Sequence, residues 1–319
     1  MGTAVAMLST PSILRAEGRF PNRPVVMQVP FAAGGPTDVM ARVMAQKLSA
    51  VLGQPVPVEN YGGAGGIIGS QRTARAAPDG YTIGLGHTGT LAANLAFYRN
   101  LPYQPLESFA LIGQYGTNPM VLALRPDLAK DMAGFRDWAA RNKGRMTIAT
   151  AGTGSVSYLG ALLLDRAIGS QATLVPYRGA GPALQDTMNG VTDAIVDQAL
   201  TVIPQVGNDM LRPLAVTVKG RLPQLPDTPT SAEIGLPQFD IAVWNAVVAP
   251  HGTPGDVTTV LTAALDKVLD DPWVRTRFTE LAVQIPPPAE RGPEPLRSTM
   301  RREADRWISL TREAGIEPQ

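Results

Sequence analysis

Cysteine is missing from this sequence, and with it go disulfides, thiolate metal sites and thiol catalysis. Histidine is nearly missing. Only His87 and His251 are present, so an imidazole base must be one of these, and a zinc cluster lacks its usual ligands. No charge of one sign is in excess: Lys plus Arg is 28 and Asp plus Glu is 27, a formal net charge of +1. With no Lys/Arg-rich run either, nucleic acid is not the expected partner. No stretch approaches the roughly 20 apolar residues that a membrane-spanning helix needs.

What is present exceeds one domain. The 319 residues are 44% hydrophobic and 17% charged, a globular composition. A typical domain takes roughly 100–200 residues, so two lobes are expected. Glycine (32) and proline (29) are plentiful but spread along the chain, as turns between regular elements require. Near the start, AVAMLSTPSILRA (4–16) is small and apolar and gives way to polar EGRFPNRP. It resembles the rear half of a secretory signal and predicts export, with 1–21 as a residual signal or tail.

From residue 24 onward, strand-like and helix-like segments alternate. PVVMQVPF predicts a buried strand, and Val39, Met40, Val43, Met44, Leu48, Val51 and Leu52 recur at helical spacing until Gly53. PVPVEN (55–60), a helix over QRTARAA (71–77), YTIGLG (81–86) and a helix opened by HTGT (87–90) continue the order. This βαβαβ grammar predicts a wound, mostly parallel sheet. It restarts after 124 with FRDWAARN, MTIATA, VSYLGALLLDRAIG, ATLVPY, PALQDTMNG, VTDAIVDQ and LRPLAVTV. Extended segments around 110–124 and 222–250 join two α/β units, and 254–319 reads as amphipathic helices. A chain that leaves one lobe and returns to it makes a hinged body, with strand C-terminal loops facing one crevice.

Several chemistries fail on those loops. In GGAGGIIG only Gly63 and Gly65 meet the first dinucleotide spacing, and Ile68 stands at the third glycine position. Neither glycine loop contains the P-loop lysine. Ser155 has Thr153 and Ser157, not glycines, two residues to either side, so it is no nucleophile elbow. Asp38, Asp193 and Asp197 sit near strand ends, and Asp38 has the position of a first-turn carboxylate that offsets the helix dipole. PFAAGGPTD, TAGTGS and HTGT then remain as strand-to-helix turns. Their backbone N–H groups and hydroxyls fit either a small-anion clasp or ordinary capped turns.

PFAAGGPTDVMAR, VENYGGAGGIIGS, APDGYTI, AGTGS, VPYRGAGPALQD, LPDTPTSAEIGLP and VWNAVVAPHGTP occur in one order. Over about residues 22 to 319 the chain resembles the Bug-type extracytoplasmic solute receptors, the substrate-binding proteins of tripartite tricarboxylate transporters. The resemblance implies a periplasmic α/β two-lobe fold of the Venus-flytrap type II class. Each lobe would be a wound, mostly parallel sheet with flanking helices, hinged by crossing extended segments. It implies residues 22–118 with 228–319 as a first, discontinuous domain and 119–227 as the second. The ligand would be a small organic acid (a mono- or dicarboxylate, an amino acid or an aromatic acid), gripped partly through ordered water. The partners would be the transporter's membrane permease components, the receptor a monomer without cofactor, metal or catalytic activity; the alternative readings are a sensory receptor using the same clamp and an enzyme using a carboxylate or His87 in the crevice. Carried over by motif, the first-lobe grip is Phe31, Ala33, Gly34, Gly35 and Thr37, joined by Thr88 and Thr90. Thr153, Gly154 and Ser155 close from the second lobe, and Asp197 and Gln198 line the variable end. Tyr177 and Arg178 belong to the family's PY[KR]G motif, Tyr177 expected to be structural. The chain departs from the pattern at Tyr61, where Arg or Lys is usual, and at Trp244-Asn245-Ala246 in place of WYG.

Overall fold

Pro24 and Pro30 bracket the first apolar run, and between them β1 (Val26–Val29) lies in the middle of a parallel triplet. The structure is a computed structural model that describes residues 20–318 apart from Ala314, so the signal-like segment 4–16 lies outside the described residues. Helix α1 (Pro36–Leu52) opens with proline at a position where an N–H would be unpaired anyway, and Gly53 ends it at φ 68°. β2 (Val58–Asn60), α2 (Ile67–Ala74) and β3 (Thr82–His87) complete the unit, with β1 parallel to both other strands. Here α2 starts at Ile67, ahead of the expected 71–77. Gly63, Gly65 and Gly66 hold positive φ and wind the loop into a 3-10 turn that leads into the helix.

After β3 the chain forms a π-helical turn, Gly89–Ala93, and α3 (Asn94–Phe97), then the long strand β4 (Phe109–Leu124). The second unit comprises α4 (Met132–Arg141), β5 (Thr147–Thr150), α5 (Val156–Ile168), β6 (Thr173–Pro176), α6 (Ala180–Met188), β7 (Ala194–Gln198), α7 (Ala199–Gly207) and β8 (Arg212–Val216). Within it β5 runs parallel to β6 and β7. The chain returns through β9 (Ala242–Pro250) to α8 (Gly255–Asp270), α9 (Pro272–Glu280) and α10 (Pro293–Glu313). The strand order is β2-β1-β3-β9-β4-β7-β5-β6, with β8 also paired to β4.

β4 belongs to both lobes. Phe109–Pro119 pair with β9, whereas Met120–Leu124 pair with β7 and, from Val121, with β8. The return segment crosses at the same level, and Thr217 ties the two together. Its N–H donates to the Met120 carbonyl (2.9 Å), its Oγ1 accepts the Met120 N–H (3.0 Å) and its carbonyl accepts the Ile241 N–H (3.0 Å). Its hydroxyl donates to the Ile241 carbonyl. The expected extended segment 222–250 is a strand only from Ala242; before that, turns bury Leu222, Leu225, Leu236 and Phe239 against second-lobe core. One core, including Met27, Met40, Ile112 and Phe278, fills the first lobe, and another, including Phe135, Ile148, Leu164 and Val196, the second.

A Thr217→Val variant keeps the volume of the side chain but orphans a buried N–H and a buried carbonyl. Urea unfolding should show a loss of about 1–3 kcal/mol, the usual cost of unpairing such groups. A change below a few tenths would mean that Thr217 does not tie the crossing.

Candidate functional site

The C-terminal ends of β1, β3, β5 and β7 converge on a cleft closed at its base by Met120 and Val243 of the crossing strands. It holds about 350 Å³ free of protein atoms, counting the mouth. This is a narrow space between lobes in contact. The Tyr98 hydroxyl, just past α3, donates to the Thr153 carbonyl (2.8 Å), and the Ala32 N–H to the Arg178 carbonyl (3.4 Å).

On the first-lobe side, Gly34 takes φ +82°, which glycine adopts without strain. Its N–H donates to Asp38 Oδ2 (3.0 Å), so this group is spent inside the turn. Burial pushes the Asp38 carboxyl up, but hydrogen bonds from Arg42, Gly34 and Asn60 outweigh it and hold it below its ordinary value. Asp38 thus serves its own turn and helix. The N–H groups of Gly35, Thr37 and Asp38 at the α1 N-terminus have no backbone partner, an arrangement suited to an anion. Thr37 and Phe31 line the cleft, whereas Ala33 and Gly34 are exposed at its rim. Gly35 faces the second lobe: a Cβ there would stand 3.6 Å from the Gly181 N and 3.7 Å from the Ala180 Cβ.

His87 is buried at the end of β3 and stacks on Phe31, with ring centroids 4.8 Å apart and planes at 17°. Its Nδ1 accepts the Gly89 N–H (2.8 Å), so the neutral ring carries its proton on Nε2. Burial lowers its pKa to about 4. The two threonines expected in the grip are used in positioning this turn. Thr90 Oγ1 accepts the His87 N–H (3.1 Å), and Thr88 Oγ1 accepts the Trp244 N–H (3.0 Å), both side chains being fully buried.

On the second-lobe side, Ser155 lines the cleft and caps α5, its Oγ accepting the Tyr158 N–H (3.1 Å). Thr153 and Gly154 lie outside the lining, packed against Tyr98. Asp197 and Gln198, at the end of β7, both line it. The Thr201 hydroxyl donates to Asp197 Oδ2 (2.7 Å), and burial raises the Asp197 pKa to about 6. Gln198 Oε1 and Ser157 Oγ are buried with no hydrogen-bond partner among the described residues. Ser157 was not among the expected site residues. Its only mark in the sequence is a hydroxyl in the first turn of the helix that Ser155 caps. Of the motif residues outside the grip, Tyr177 donates to Asp186 (2.6 Å) and Arg178 is exposed. Tyr61 donates to Glu59 (2.6 Å) beneath Arg72. No lysine or arginine lines the cleft, and no group of three or more potential metal ligands occurs among the described residues.

Residues 40–291 match the family described as the tripartite tricarboxylate transporter family receptor. A protein of Agrobacterium vitis, encoded in the ttuE–ttuC' intergenic region, is 40% identical over 98% of this chain and 91% of its own. Among solved structures, the periplasmic binding protein BugD aligns with a TM-score of 0.90 at 37% identity, over 94% of this chain and all of its own. MatC of Rhodopseudomonas palustris, solved with bound malate, aligns with a TM-score of 0.88 at 38% identity, over 91% of this chain and 99% of its own. The two-lobe fold expected from the sequence is the one these structures share with it.

Burial gives stability two opposed pH dependences. His87 is held near pKa 4, below its ordinary 6.5, so its contribution is present above pH 6.5 and lost as pH falls toward 4. Asp197 is held near 6, above its ordinary 3.8, so its contribution is present below pH 3.8 and lost as pH rises through 6. Unfolding followed from pH 7.5 to 4 should show Asp197→Asn gaining on the native protein toward neutral pH, by up to about 3 kcal/mol. His87→Gln should gain on it toward acid by a similar amount, and parallel curves for all three proteins would refute both assignments. At Gly35, alanine fits at ordinary contact distance. Gly35→Leu should weaken every ligand at least tenfold in calorimetry, and unchanged affinity would show that the turn does not set the gap.

Proposed function

The chain belongs to the tripartite tricarboxylate transporter receptor family, and from that membership we propose that it captures a small organic carboxylate between its lobes and delivers it to the transporter's membrane components. Such work takes place in the periplasm, which fits the signal-like segment at 4–16. The observation that carries this reading is the donor set. The α1 N-terminus, the Thr37 and Ser155 side chains and the His87 Nε2–H surround the cleft, with no lysine or arginine among the described residues that line it. Neutral donors at helix N-termini hold an anion firmly enough to bind and loosely enough to release. MatC, with malate bound and the same fold, supports a carboxylate as the occupant.

Closure follows from contact with both lobes, since a ligand favours the closed form only by its differential affinity for it. We take the chain to close as a monomer. The first lobe is 22–118 with 228–319, and the pairing switch of β4 at Met120 supports the boundary at 119. The packing of Leu236 and Phe239 on second-lobe core supports an alternative return boundary nearer Ile241. Catalysis finds no support in the cleft: His87 Nδ1 is engaged by the Gly89 N–H, and no hydroxyl is paired with the ring as a nucleophile would be.

The test is a thermal-shift screen of mono- and dicarboxylates, amino acids and aromatic acids. A ligand at a hundred times its Kd should add about 2.7 kcal/mol of stability. No shift with any of them would overturn the receptor reading.

A further inference from the structure

Asn118 and Asn245 are fully buried at the strand crossing. Opposite residues of an antiparallel pair point to one face of the sheet. Asn245 stands opposite His87 on β3, and Asn118 stands opposite Val243 on β9. His87 and Val243 line the cleft, so both amides lie on its side of the sheet, yet neither is part of the lining. They sit under the floor, Asn118 two residues short of Met120, where β4 changes partners. Their hydrogen bonding is incomplete. Asn245 Nδ2 donates to the Val243 carbonyl (3.0 Å), but Asn245 Oδ1 has no partner among the described residues, and neither Asn118 Nδ2 nor Asn118 Oδ1 has one. Gln198 Oε1, on the residue opposite Met120, is a fourth such atom. All four are enclosed, so a ligand in the cleft reaches none of them. The cluster also departs from the family pattern, since Asn245 stands where tyrosine is usual.

Buried polar groups are rarely left unpaired, and these gather where the lobes bend. The floor that the lobes cover when in contact is the bottom of an open crevice when they part, and water then reaches the amides from the cleft side. Closure either strips that water or holds a molecule of it in place, and both raise the free energy of the closed form. On the reading given above, that the lobes close on a ligand, we propose that Asn118 and Asn245 form an opening spring in the hinge. Amides that closure removes from bulk water hold the empty protein open until a ligand's contacts with both lobes outweigh them. The apparent affinity is then the intrinsic one multiplied by the small fraction of empty protein that is closed. The spring acts alike on every ligand, because it touches none. Loss of an ordinary structural amide weakens the site; loss of this one strengthens it.

The test is one of sign. Asn118→Leu puts methyl groups in place of the amide oxygen and nitrogen and leaves nothing to hydrate. Asn118→Asp puts a carboxylate there, which is harder still to cover. Calorimetry at pH 7.5 with L-malate, succinate, adipate, L-glutamate and benzoate should find each acid that binds the native protein about tenfold tighter in Asn118→Leu and weaker in Asn118→Asp. Because the chain has no cysteine, nitroxide labels on Ile68→Cys and Gln185→Cys, exposed positions on opposite lobes, report the mouth directly. In the empty protein the short, closed distance should gain population in Asn118→Leu and lose it in Asn118→Asp. Asn118→Ala adds no bulk and takes the place of the leucine variant if that one does not fold; it should shift in the same direction. Shifts of one sign in both variants, or none in either, would overturn the spring and leave the receptor reading intact. If no acid binds, the receptor reading fails and the label distances alone decide the spring.

Discussion

β4 serves two sheets at once. Up to Pro119 it is paired to β9 in the first lobe, and from Met120 it is paired to β7 and β8 in the second. No residue of this strand can shift in register without unpairing one sheet or the other, because a slip of one residue exchanges its two faces. The lobes can therefore move only by bending where the pairing changes hands. Thr217 fastens the return crossing to that same level through Met120 and Ile241. Met120 and Val243, which close the base of the cleft, are thus residues of the hinge itself. Site and hinge share atoms, so an occupant touches the part of the fold that decides how far apart the lobes stand.

Charge in the cleft is managed by position more than by partners. Asp38 is buried in the turn beside the anion-suited wall, yet Arg42 and the Gly34 N–H take up its charge, which keeps it from opposing an anion at the α1 N-terminus. Asp197 has no such relief. Its contacts are a hydroxyl and the local backbone, and its carboxyl is correspondingly raised. These residues have opposite roles because one has a guanidinium within reach and the other does not.

The order of elements was legible because hydrophobic period, glycine stops and proline brackets are local signals, as in α1 between Pro36 and Gly53. The start of α2 was hidden because a glycine-rich run reads as loop, although tertiary contact winds it. The site was half legible. Phe31, Thr37, Ser155, Asp197 and Gln198 line the cleft. Gly35 borders it, and Thr88, Thr90, Thr153 and Gly154 stand behind its walls. A motif marks a turn, but which hydroxyl faces inward depends on backbone partners such as the Trp244 N–H, distant in sequence. Ser157 was missed for the same reason. Nothing local distinguishes a hydroxyl aimed at a void from one aimed at water.

The jaws meet through main chain. A Cβ on Gly65 would lie 2.1 Å from the Thr153 carbonyl oxygen, and one on Gly152 would lie 3.2 Å from the Gly65 N. Peptide units, unlike side chains, have no rotamers with which to yield. The mouth therefore behaves as a caliper with a fixed stop: whatever enters, the skeleton halts at the same separation. The separation of the jaws is thereby set by glycines that do not line the cleft. Evolution of preference within such a frame is left to length and charge, which residues along the cleft can revise one at a time without refitting the closure.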